Sequence, residues 1–360
     1  MIRLSGGEPD FETPGFVREA AKNALDKGFT HYTPAQGYED LRKAVADKLH
    51  RENGIVCDYE REVVITPGSS SGIFMALLTL LNPGDEALLP DPAWFHYTTL
   101  VRLCGATPVS LPVSLGENIC IDLEEAKKRV TDRTRVLILN SPCNPTGLMI
   151  SRDNLKAIGE FVERNNLTLI SDEVYEKIVY PGNTHTSPAS LRALKERTLT
   201  SNGFSKAYAM TGWRVGYLAG PGEIIEKVTA LNGYILVCPS SVSQQAAFVA
   251  LTDPRMSAAI TGMVDRFTKR RKMVLDALDL PGIKAYPPQG TFYAWIDISK
   301  TGMSSEQFAY KLLETERVGL LPGNLFGEQG NGHVRVSFAT GENLLAQALE
   351  RIRTFILRKS

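Results

Sequence analysis

Five polar side chains follow three predicted strands, each near the point where a strand ends. In chain order they are Asn144 after RVLIL, Asp172 and Tyr175 after LTLI, and Lys206 and Arg214 after TLTS. Ligands of an open parallel sheet lie beyond the carboxyl ends of its strands. We therefore expect an amide, a carboxylate, a phenol, an amine and a guanidinium to converge at one edge of a sheet, where the chemistry should be sought.

A fourth predicted strand, VVIT, leads into PGSSSG and then into a helix. This arrangement directs backbone N–H groups and serine hydroxyls at the start of the helix, where anions bind well. A phosphate is the natural ligand. No Gly-Lys-Ser/Thr follows the loop and the spacing Gly-x-Gly-x-x-Gly is absent, so neither a nucleotide P-loop nor a dinucleotide site is indicated.

The strands that carry these residues alternate with helical patterns from about residue 62 to residue 220. This rhythm predicts an α/β fold with crossover units and a mainly parallel sheet of about seven strands, covered by helices on both faces. After about residue 222 long helical patterns come first and separated strands follow, which favours a second, smaller α+β domain. We place the large domain at 30–265 and the small domain at 1–29 and 266–360.

The composition argues against several classes of protein. Forty Lys and Arg balance forty Asp and Glu without a basic stripe, which disfavours nucleic-acid binding. No apolar run approaches the roughly 20 residues of a membrane span, and the N-terminus MIRLSGGEPDF lacks the apolar core of a signal peptide. The five cysteines and five histidines show no disulfide framework and no metal-ligand spacing. We expect a cytoplasmic protein without a metal, with small-molecule partners.

Six segments resemble, in order along the chain, the motifs of class I/II aminotransferases of fold type I, and of aspartate aminotransferases in particular. They are GEPDFETP, HYTPAQGYEDLR, NSPCNPTG, SDEVYE, SNGFSKAYAMTGWRVGY and HVRVSFAT, and the resemblance spans residues 4 to about 356. Taken singly, each polar residue in them has an ordinary structural explanation, such as a solvated lysine or a helix-capping aspartate. Six motifs in one order favour the functional explanation.

The resemblance implies pyridoxal 5'-phosphate as cofactor, with Lys206, Asp172 and Tyr175 as catalytic residues. Lys206 would hold the cofactor as a Schiff base, and Arg214 would clamp its phosphate with two charge-assisted hydrogen bonds. Asp172 would pair with the pyridine nitrogen and keep it protonated. The ring could then accept the electrons released when a bond at the substrate Cα breaks.

Other residues would bind the remaining parts of the cofactor. By the same resemblance Asn144 and Tyr175 would hydrogen-bond its phenolate oxygen, which lowers the imine pKa. Trp94 would stack on its ring. The phosphate would be bound by Gly68, Ser69 and Ser70. Tyr32 would also reach the phosphate, from the partner subunit of a homodimer.

The resemblance also implies how the substrate is held. Arg335 would grip the α-carboxylate bidentately and so hold the Cα–H bond perpendicular to the ring. The backbone of Gly7 would lie beside that carboxylate, with Asn144 and Trp94 nearby. The implied reaction is a ping-pong transfer from an L-amino acid to a 2-oxo acid such as 2-oxoglutarate, in which the freed Lys206 amine moves a proton from Cα to the cofactor carbon C4′.

Two other functions stay open on the same fold. A pyridoxal-phosphate-dependent lyase, such as a C–S lyase, would need the same Lys206 and Asp172 and would differ only after proton removal. An effector-sensing domain would bind the cofactor without turnover. The balanced charge disfavours that sensor, because it expects an attached DNA-binding domain.

The sequence departs from the family pattern at three places. Gly203 stands where many relatives carry a phosphate-binding serine, for which Ser205 is a possible substitute. Ser70 stands where one aspartate-using branch has a lysine for the distal carboxylate, which leaves apolar, aromatic and glutamate-family donors equally open. The motif GEPDFETP begins at residue 7 without the helix that normally precedes it, so we expect a more open pocket mouth.

Overall fold

The computed structural model describes residues 1–358, which form eleven α-helices and fourteen strands. The helices are α1 Gly15–Asp26, α2 Glu39–Lys48, α3 Ser69–Leu80, α4 His96–Leu103, α5 Leu123–Arg129, α6 Arg152–Arg164, α7 Gly222–Leu236, α8 Ser241–Thr252, α9 Arg255–Ala277, α10 Ser305–Glu316 and α11 Glu342–Leu357. The strands are β1 Ile2–Arg3, β2 Val63–Thr66, β3 Glu86–Asp91, β4 Thr107–Leu115, β5 Ile119–Ile121, β6 Thr134–Asn140, β7 Thr168–Asp172, β8 Thr198–Gly203, β9 Gly216–Ala219, β10 Lys284–Tyr286, β11 Tyr293–Asp297, β12 Val318–Gly319, β13 Leu321–Pro322 and β14 His333–Ser337.

Eight strands form one sheet in the order β2-β9-β8-β7-β6-β3-β4-β5. The five central strands from β8 to β4 are parallel, whereas β9 is antiparallel to both of its neighbours and β5 is antiparallel to β4. Every residue of β2, β8 and β9 is buried, as expected for strands covered by helices on both faces. Apolar runs such as VVIT in β2 and RVLIL in β6 therefore specify buried strands, whether at the edge of the sheet or in its centre.

The predicted α/β fold with a mainly parallel sheet is confirmed. The sheet has one strand more than the seven recognised in the sequence, because β5 is only three residues long. It pairs with the end of β4 through the register Val113↔Ile121. So short a segment has no periodicity that could distinguish it from a loop.

A second sheet is antiparallel, in the order β10-β11-β14-β13, and β1 pairs in parallel with β12. Helices α9, α10 and α11 cover it, and their apolar faces share one core whose buried phenylalanines are Phe267, Phe292, Phe308, Phe338 and Phe355. The division into 30–265 and 1–29 with 266–360 stays a prediction. Helix α1 falls in the small domain of that division. Its residues Val17 and Ala21 pack against α8, in one cluster with residues of the large sheet.

The parallel strands place their carboxyl ends at one edge, and this edge carries the polar residues. Strand β6 ends just before Asn144, β7 ends at Asp172 and β8 ends before Lys206. Helix α3 begins at the same edge, directly after β2. None of the helices in residues 1–358 has both the length and the apolar character needed to cross a membrane.

Candidate active site

A cavity of about 360 Å³ lies at this edge of the large sheet. It brings together ten residues singled out from the sequence, namely Gly7, Ser69, Ser70, Trp94, Asn144, Asp172, Tyr175, Lys206, Arg214 and Arg335. Gly68 lies directly behind Arg214. Tyr32 is the exception, because it is 83% exposed and does not line the cavity. A larger groove of about 880 Å³ beside α2 and α8 contains none of these residues.

Asp172 is the buried carboxylate at the floor of the cavity. Its Oδ2 accepts a hydrogen bond of 2.6 Å from the Tyr97 hydroxyl, and its Oδ1 accepts one of 3.3 Å from the backbone N–H of Val174. Burial raises the pKa of Asp172 to about 6, although the hydrogen bond from Tyr97 opposes this shift. Asp172 forms no ion pair within residues 1–358. A cationic N–H group in the cavity would compensate its charge.

Lys206 follows β8 in a tight turn, in which Met210 donates its N–H to the carbonyl of Phe204 at 3.2 Å. The Lys206 ammonium donates to the carbonyl oxygen of Gly7 at 2.5 Å and lies 6.0 Å from the centre of the Tyr175 ring. Burial lowers the pKa of Lys206 to about 8, against the opposing charge of Asp172. About a tenth of the amine is therefore neutral at pH 7. The neutral amine is the form that attacks carbonyl carbon.

This lowered pKa predicts how Lys206 reacts in the cofactor-free protein. Its acylation rate should rise about tenfold per pH unit below about 8 and level off above it, because only the neutral amine reacts. Pulse acylation across this pH range, read by mass spectrometry of the peptide that carries Lys206, measures the profile. A lysine in a short peptide, with a pKa near 10.4, should still gain reactivity at about pH 9. A Lys206 pH profile that matches that of the peptide lysine would contradict the lowered pKa of Lys206.

Arg214 and the start of α3 form a cradle for an anion. Gly68 precedes α3 with a φ of 87°, and a Cβ at this position would lie 2.7 Å from Nη2 of Arg214. A Cβ at Gly216 would likewise lie 2.7 Å from the backbone nitrogen of Ser69. Glycine at both positions lets the guanidinium approach the N–H groups of the first helical turn. A cation and a helix N-terminus that face each other bind an oxyanion.

Arg335, on β14, lies across the cavity from this cradle and is only 3% exposed. Its Nη1 donates to Oδ1 of Asn144 at 2.8 Å and its Nη2 donates to the carbonyl of Ser5 at 2.9 Å. Its Nε is buried without a hydrogen-bond partner in the described part of the chain. A buried guanidinium that carries a free donor needs an acceptor, which a carboxylate supplies in a planar, bidentate geometry.

Tyr175 and Trp94 line the cavity between these charged groups. The Tyr175 hydroxyl hydrogen-bonds the Tyr293 hydroxyl at 3.1 Å, and burial raises the pKa of Tyr175 well above its usual value. Trp94 stacks on the ring of His96, with centroids 4.2 Å apart, and meets Tyr97 edge-on at 5.3 Å. These contacts give both aromatic rings a fixed orientation.

Sequence reasoning missed two aromatic residues of the site. The Tyr97 hydroxyl donates a hydrogen bond to Asp172. The centre of the Tyr293 ring lies 4.1 Å from the guanidinium carbon of Arg335. Both are buried among apolar residues, so the sequence around them in α4 and β11 predicts ordinary core packing and not a site. The only available signal for Tyr293 was its place just after the Gly/Pro-rich segment KAYPPQGTF.

The sequence pattern of the aminotransferase class I and II family matches residues 1–352. The chain belongs to this family. It is 41% identical over its full length to an aspartate aminotransferase of Pyrococcus abyssi, and equally to aromatic-amino-acid aminotransferase 2 of Thermococcus litoralis, covering 92% of each. It also superposes on the crystal structure of an aromatic aminotransferase from Pyrococcus horikoshii with a TM-score of 0.97, at 42% identity, covering 99% of this chain and 96% of that one.

The protein is therefore a transaminase, and its large mixed sheet is the fold type I architecture of pyridoxal-phosphate aminotransferases. A structure of the aspartate aminotransferase from Thermus thermophilus with maleate gives a TM-score of 0.93 at 38% identity, covering 98% of this chain and 91% of that one. Amino-group transfer between an amino acid and a 2-oxo acid is the reaction these relatives share. The lyase alternative is not favoured.

Proposed function

We propose that this aminotransferase binds pyridoxal 5'-phosphate in the 360 Å³ cavity, with the aldehyde carbon bound covalently to Lys206. When bound, the cofactor supplies an electron sink for the bond that breaks at the substrate Cα. One observation carries the proposal. Lys206, Asp172 and Arg214 converge on a single cavity, and they match the aldehyde, the ring nitrogen and the phosphate of this cofactor.

Asp172 would face the ring nitrogen. A carboxylate buried without an ion pair in residues 1–358 is unfavourable unless a cation compensates it. A protonated pyridine nitrogen has the required charge and carries one N–H. Tyr97 and the N–H of Val174 orient the carboxylate through their hydrogen bonds, so that its charge is directed at one place in the cavity.

Asn144, Tyr175 and Trp94 would contact the ring itself. Oδ1 of Asn144 already accepts from Arg335, so its amide N–H₂ group is the part that can donate to the phenolate oxygen. The Tyr175 hydroxyl can donate to the same oxygen while it accepts from Tyr293. Trp94 presents its indole to the cavity for stacking.

Gly68, Ser69, Ser70 and Arg214 would bind the phosphate. Ser205 also lines the cavity, which supports it as the substitute for the serine that Gly203 replaces. The backbone N–H groups at the start of α3 and the Arg214 guanidinium supply the donors that a dianion requires. No metal ion is needed to neutralise this group.

We also propose a homodimer in which Tyr32 reaches the phosphate of the partner subunit. Tyr32 is 83% exposed, and the end of α7 beside it exposes four consecutive apolar side chains, Tyr234, Ile235, Leu236 and Val237. The two segments are neighbours, because Asn232 donates to the carbonyl of Ala35 at 2.6 Å. Contiguous exposed apolar side chains of this kind mark protein interfaces.

A cytoplasmic location is proposed on the chemistry of the cysteines. All five are free thiols, and two of them, Cys104 and Cys143, are buried. Unpaired thiols persist in a reducing compartment.

The chain's own groups would carry the proton transfer. Lys206 lines the cavity, so its free amine would be the group that takes a proton from the substrate Cα, and burial favours its neutral form. The carbonyl of Gly7 fixes its direction through a hydrogen bond. Arg335 would hold the α-carboxylate, which orients the Cα–H bond towards Lys206. Lys206 would then return the proton at C4′ of the cofactor.

The cavity favours donors without a distal carboxylate. Among residues 1–358 the cationic side chains that line it are Lys206, Arg214 and Arg335, and each already has a partner in the scheme above. The rest of the wall includes Phe95 and Leu321, whose apolar surfaces suit an aromatic or large aliphatic side chain. We therefore propose an aromatic amino acid as the donor. For the acceptor, 2-oxoglutarate, the Ser70 hydroxyl could hydrogen-bond the distal carboxylate in place of a charge, while the Ser70 backbone N–H stays with the phosphate.

A donor panel tests this function. Purified protein supplied with pyridoxal 5'-phosphate should show the visible band of the bound cofactor, which phenylalanine removes and 2-oxoglutarate restores. We expect kcat/KM for phenylalanine to exceed that for aspartate by about tenfold or more, because an unpaired carboxylate against an apolar wall is penalised.

Each alternative has its own signature in that panel. Aspartate preferred over phenylalanine would overturn the aromatic assignment and leave transfer intact. Release of pyruvate and ammonia from a cysteine-type substrate, without recovery by 2-oxoglutarate, would indicate the lyase. A protein that shows no band with added cofactor does not carry out the proposed chemistry.

A further inference from the structure

Asp91 is a buried carboxylate that the proposed function does not use. It is the last residue of β3, three residues before Trp94, and its side chain is 5% exposed. Its Oδ2 accepts hydrogen bonds from the Ser110 hydroxyl at 2.9 Å and from the backbone N–H of Glu328 at 3.0 Å. Its Oδ1 accepts from the N–H of Gln329 at 3.2 Å. A carboxylate buried without a cation is retained only where such donors compensate it.

The two backbone donors belong to a segment far away in the sequence, residues 323–330. It consists of two short 3₁₀ turns, Gly323–Phe326 and Glu328–Gly330, joined by Gly327 with a φ of 130°. A side chain at Gly327 would collide with the Asp91 carboxylate, so glycine is required for this close approach. The carbonyl of Phe326 also accepts from the N–H of Ala93 at 2.9 Å. Asp91 and the chain just after it thus fix the segment from both sides of Gly327.

The segment carries Phe326, and this ring contacts two residues of the cavity and one core residue. It lies 5.1 Å from the guanidinium carbon of Arg335 and 5.7 Å from the ring of Phe95, and it meets Trp295 edge-on at 5.7 Å. Phe95 lines the cavity and Arg335 would bind the substrate carboxylate. A shift of Phe326 would therefore displace Phe95 in the apolar wall of the cavity and the guanidinium of Arg335 together.

We propose that Asp91 is a positioning residue for substrate selectivity: by holding residues 323–330 it fixes Phe326 behind Phe95 and Arg335 and so shapes the pocket for an aromatic side chain. This inference rests on the proposed function. It deepens that function by naming a residue outside the cavity that sets the donor preference.

Glu86 offers a matched control at the other end of the same strand. It is also 5% exposed, and its carboxylate also has three donors, Thr131, Thr134 and Arg133, at 2.6 to 3.0 Å. It lies away from the carboxyl edge of the sheet, so its loss should perturb stability without reaching the pocket. A purely structural role for Asp91 predicts that the two substitutions behave alike.

The test compares Asp91→Ala and Asp91→Asn with Glu86→Ala and Glu86→Gln. The ratio of kcat/KM for phenylalanine to that for alanine should fall about tenfold in Asp91→Ala, mainly through KM, because the pocket wall loosens while the reacting groups stay in place. Asp91→Asn should fall less, since one acceptor oxygen remains. The Glu86 variants should keep the wild-type ratio.

A second readout does not depend on turnover. Calorimetry should show that wild type binds 3-phenylpropionate more tightly than propionate, and that the ratio of the two affinities falls in the Asp91 variants and stays constant in the Glu86 variants. Hydrogen exchange should accelerate at the amides of Glu328 and Gln329 in the Asp91 variants alone.

The outcomes separate the two proposals. If Asp91→Ala does not fold, Asp91→Asn carries the same comparison. An unchanged selectivity ratio together with faster exchange overturns the positioning role, as does a wild type that fails to distinguish the two carboxylates. Failure of wild type to transaminate phenylalanine while the affinity ratio still depends on Asp91 would count against the proposed donor and support the role of Asp91.

Discussion

Replacing Lys206 with alanine should reduce amino-group transfer by roughly 10⁴-fold, at the upper end of the range for a single proton-transfer group. The reason is that Lys206 is proposed to serve twice, as the amine that binds the aldehyde and as the base that moves the substrate proton. Within residues 1–358 no second amine is placed to replace it, because Lys206 is the only lysine of that range that lines the cavity. Single-turnover rates with phenylalanine measure the loss.

Three observations distinguish lost chemistry from lost structure in this variant. Thermal unfolding of the cofactor-free protein should occur at no lower temperature, since burial already disfavours the protonated amine that is removed. Binding of 3-phenylpropionate should persist because Arg335 is untouched. Borohydride should attach the cofactor to the Lys206 peptide in wild type and in the control Lys177→Ala, but not in Lys206→Ala. An equally fast variant would refute the assignment of the catalytic amine.

The residues that the sequence located correctly in space are those fixed by a single strand end. Asn144, Asp172 and Lys206 each follow a buried β-branched run, and parallel strands bring their carboxyl ends together regardless of the rest of the fold. Their convergence was therefore predictable before any contact was known. Arg335 differs, because only the resemblance of HVRVSFAT to the family motif pointed to it.

The long-range contacts that orient these side chains could not be predicted from strand ends. The hydrogen bond from Arg335 to Asn144 joins residues 191 positions apart, and the one from Glu328 to Asp91 spans 237 positions. Local periodicity identifies an element and its buried face, but not which distant element packs against it. Tyr97 illustrates this, since its place in α4 predicts core packing and only the docked helix directs its hydroxyl at Asp172.

Asp172→Asn should slow transfer by about 10² to 10³-fold, the usual loss when one preorganised charge is removed from a site. Asparagine has the same shape and can still accept from Tyr97, so the change mainly removes the negative charge that would keep the ring nitrogen protonated. Single-turnover measurements should show the loss in kcat, with binding of 3-phenylpropionate nearly unchanged. A mere rise in KM would contradict this role for Asp172.

The same substitution has a second, opposite effect on the stability of the cofactor-free protein. The folded pKa of Asp172, about 6, lies above the unfolded value of 3.8, so the folded state binds more protons between these pH values. Wild-type stability should therefore fall as pH rises from about 4 to about 6, by on the order of 3 kcal/mol, whereas Asp172→Asn lacks this contribution. Urea unfolding across this range measures the difference, with Asp85→Asn, a carboxylate paired with Arg135, as control.

Added pyridoxal 5'-phosphate should reverse the order of the two proteins. Wild type should then gain more stability than Asp172→Asn at pH 7, because a ligand that binds only the folded state stabilises it more when it binds more tightly. A buried charge that destabilises the empty fold and favours the loaded one is expected of a site shaped by catalysis rather than by folding. Equal gains in both proteins would mean that Asp172 faces no cation, and the ring nitrogen would have to be placed elsewhere in the cavity.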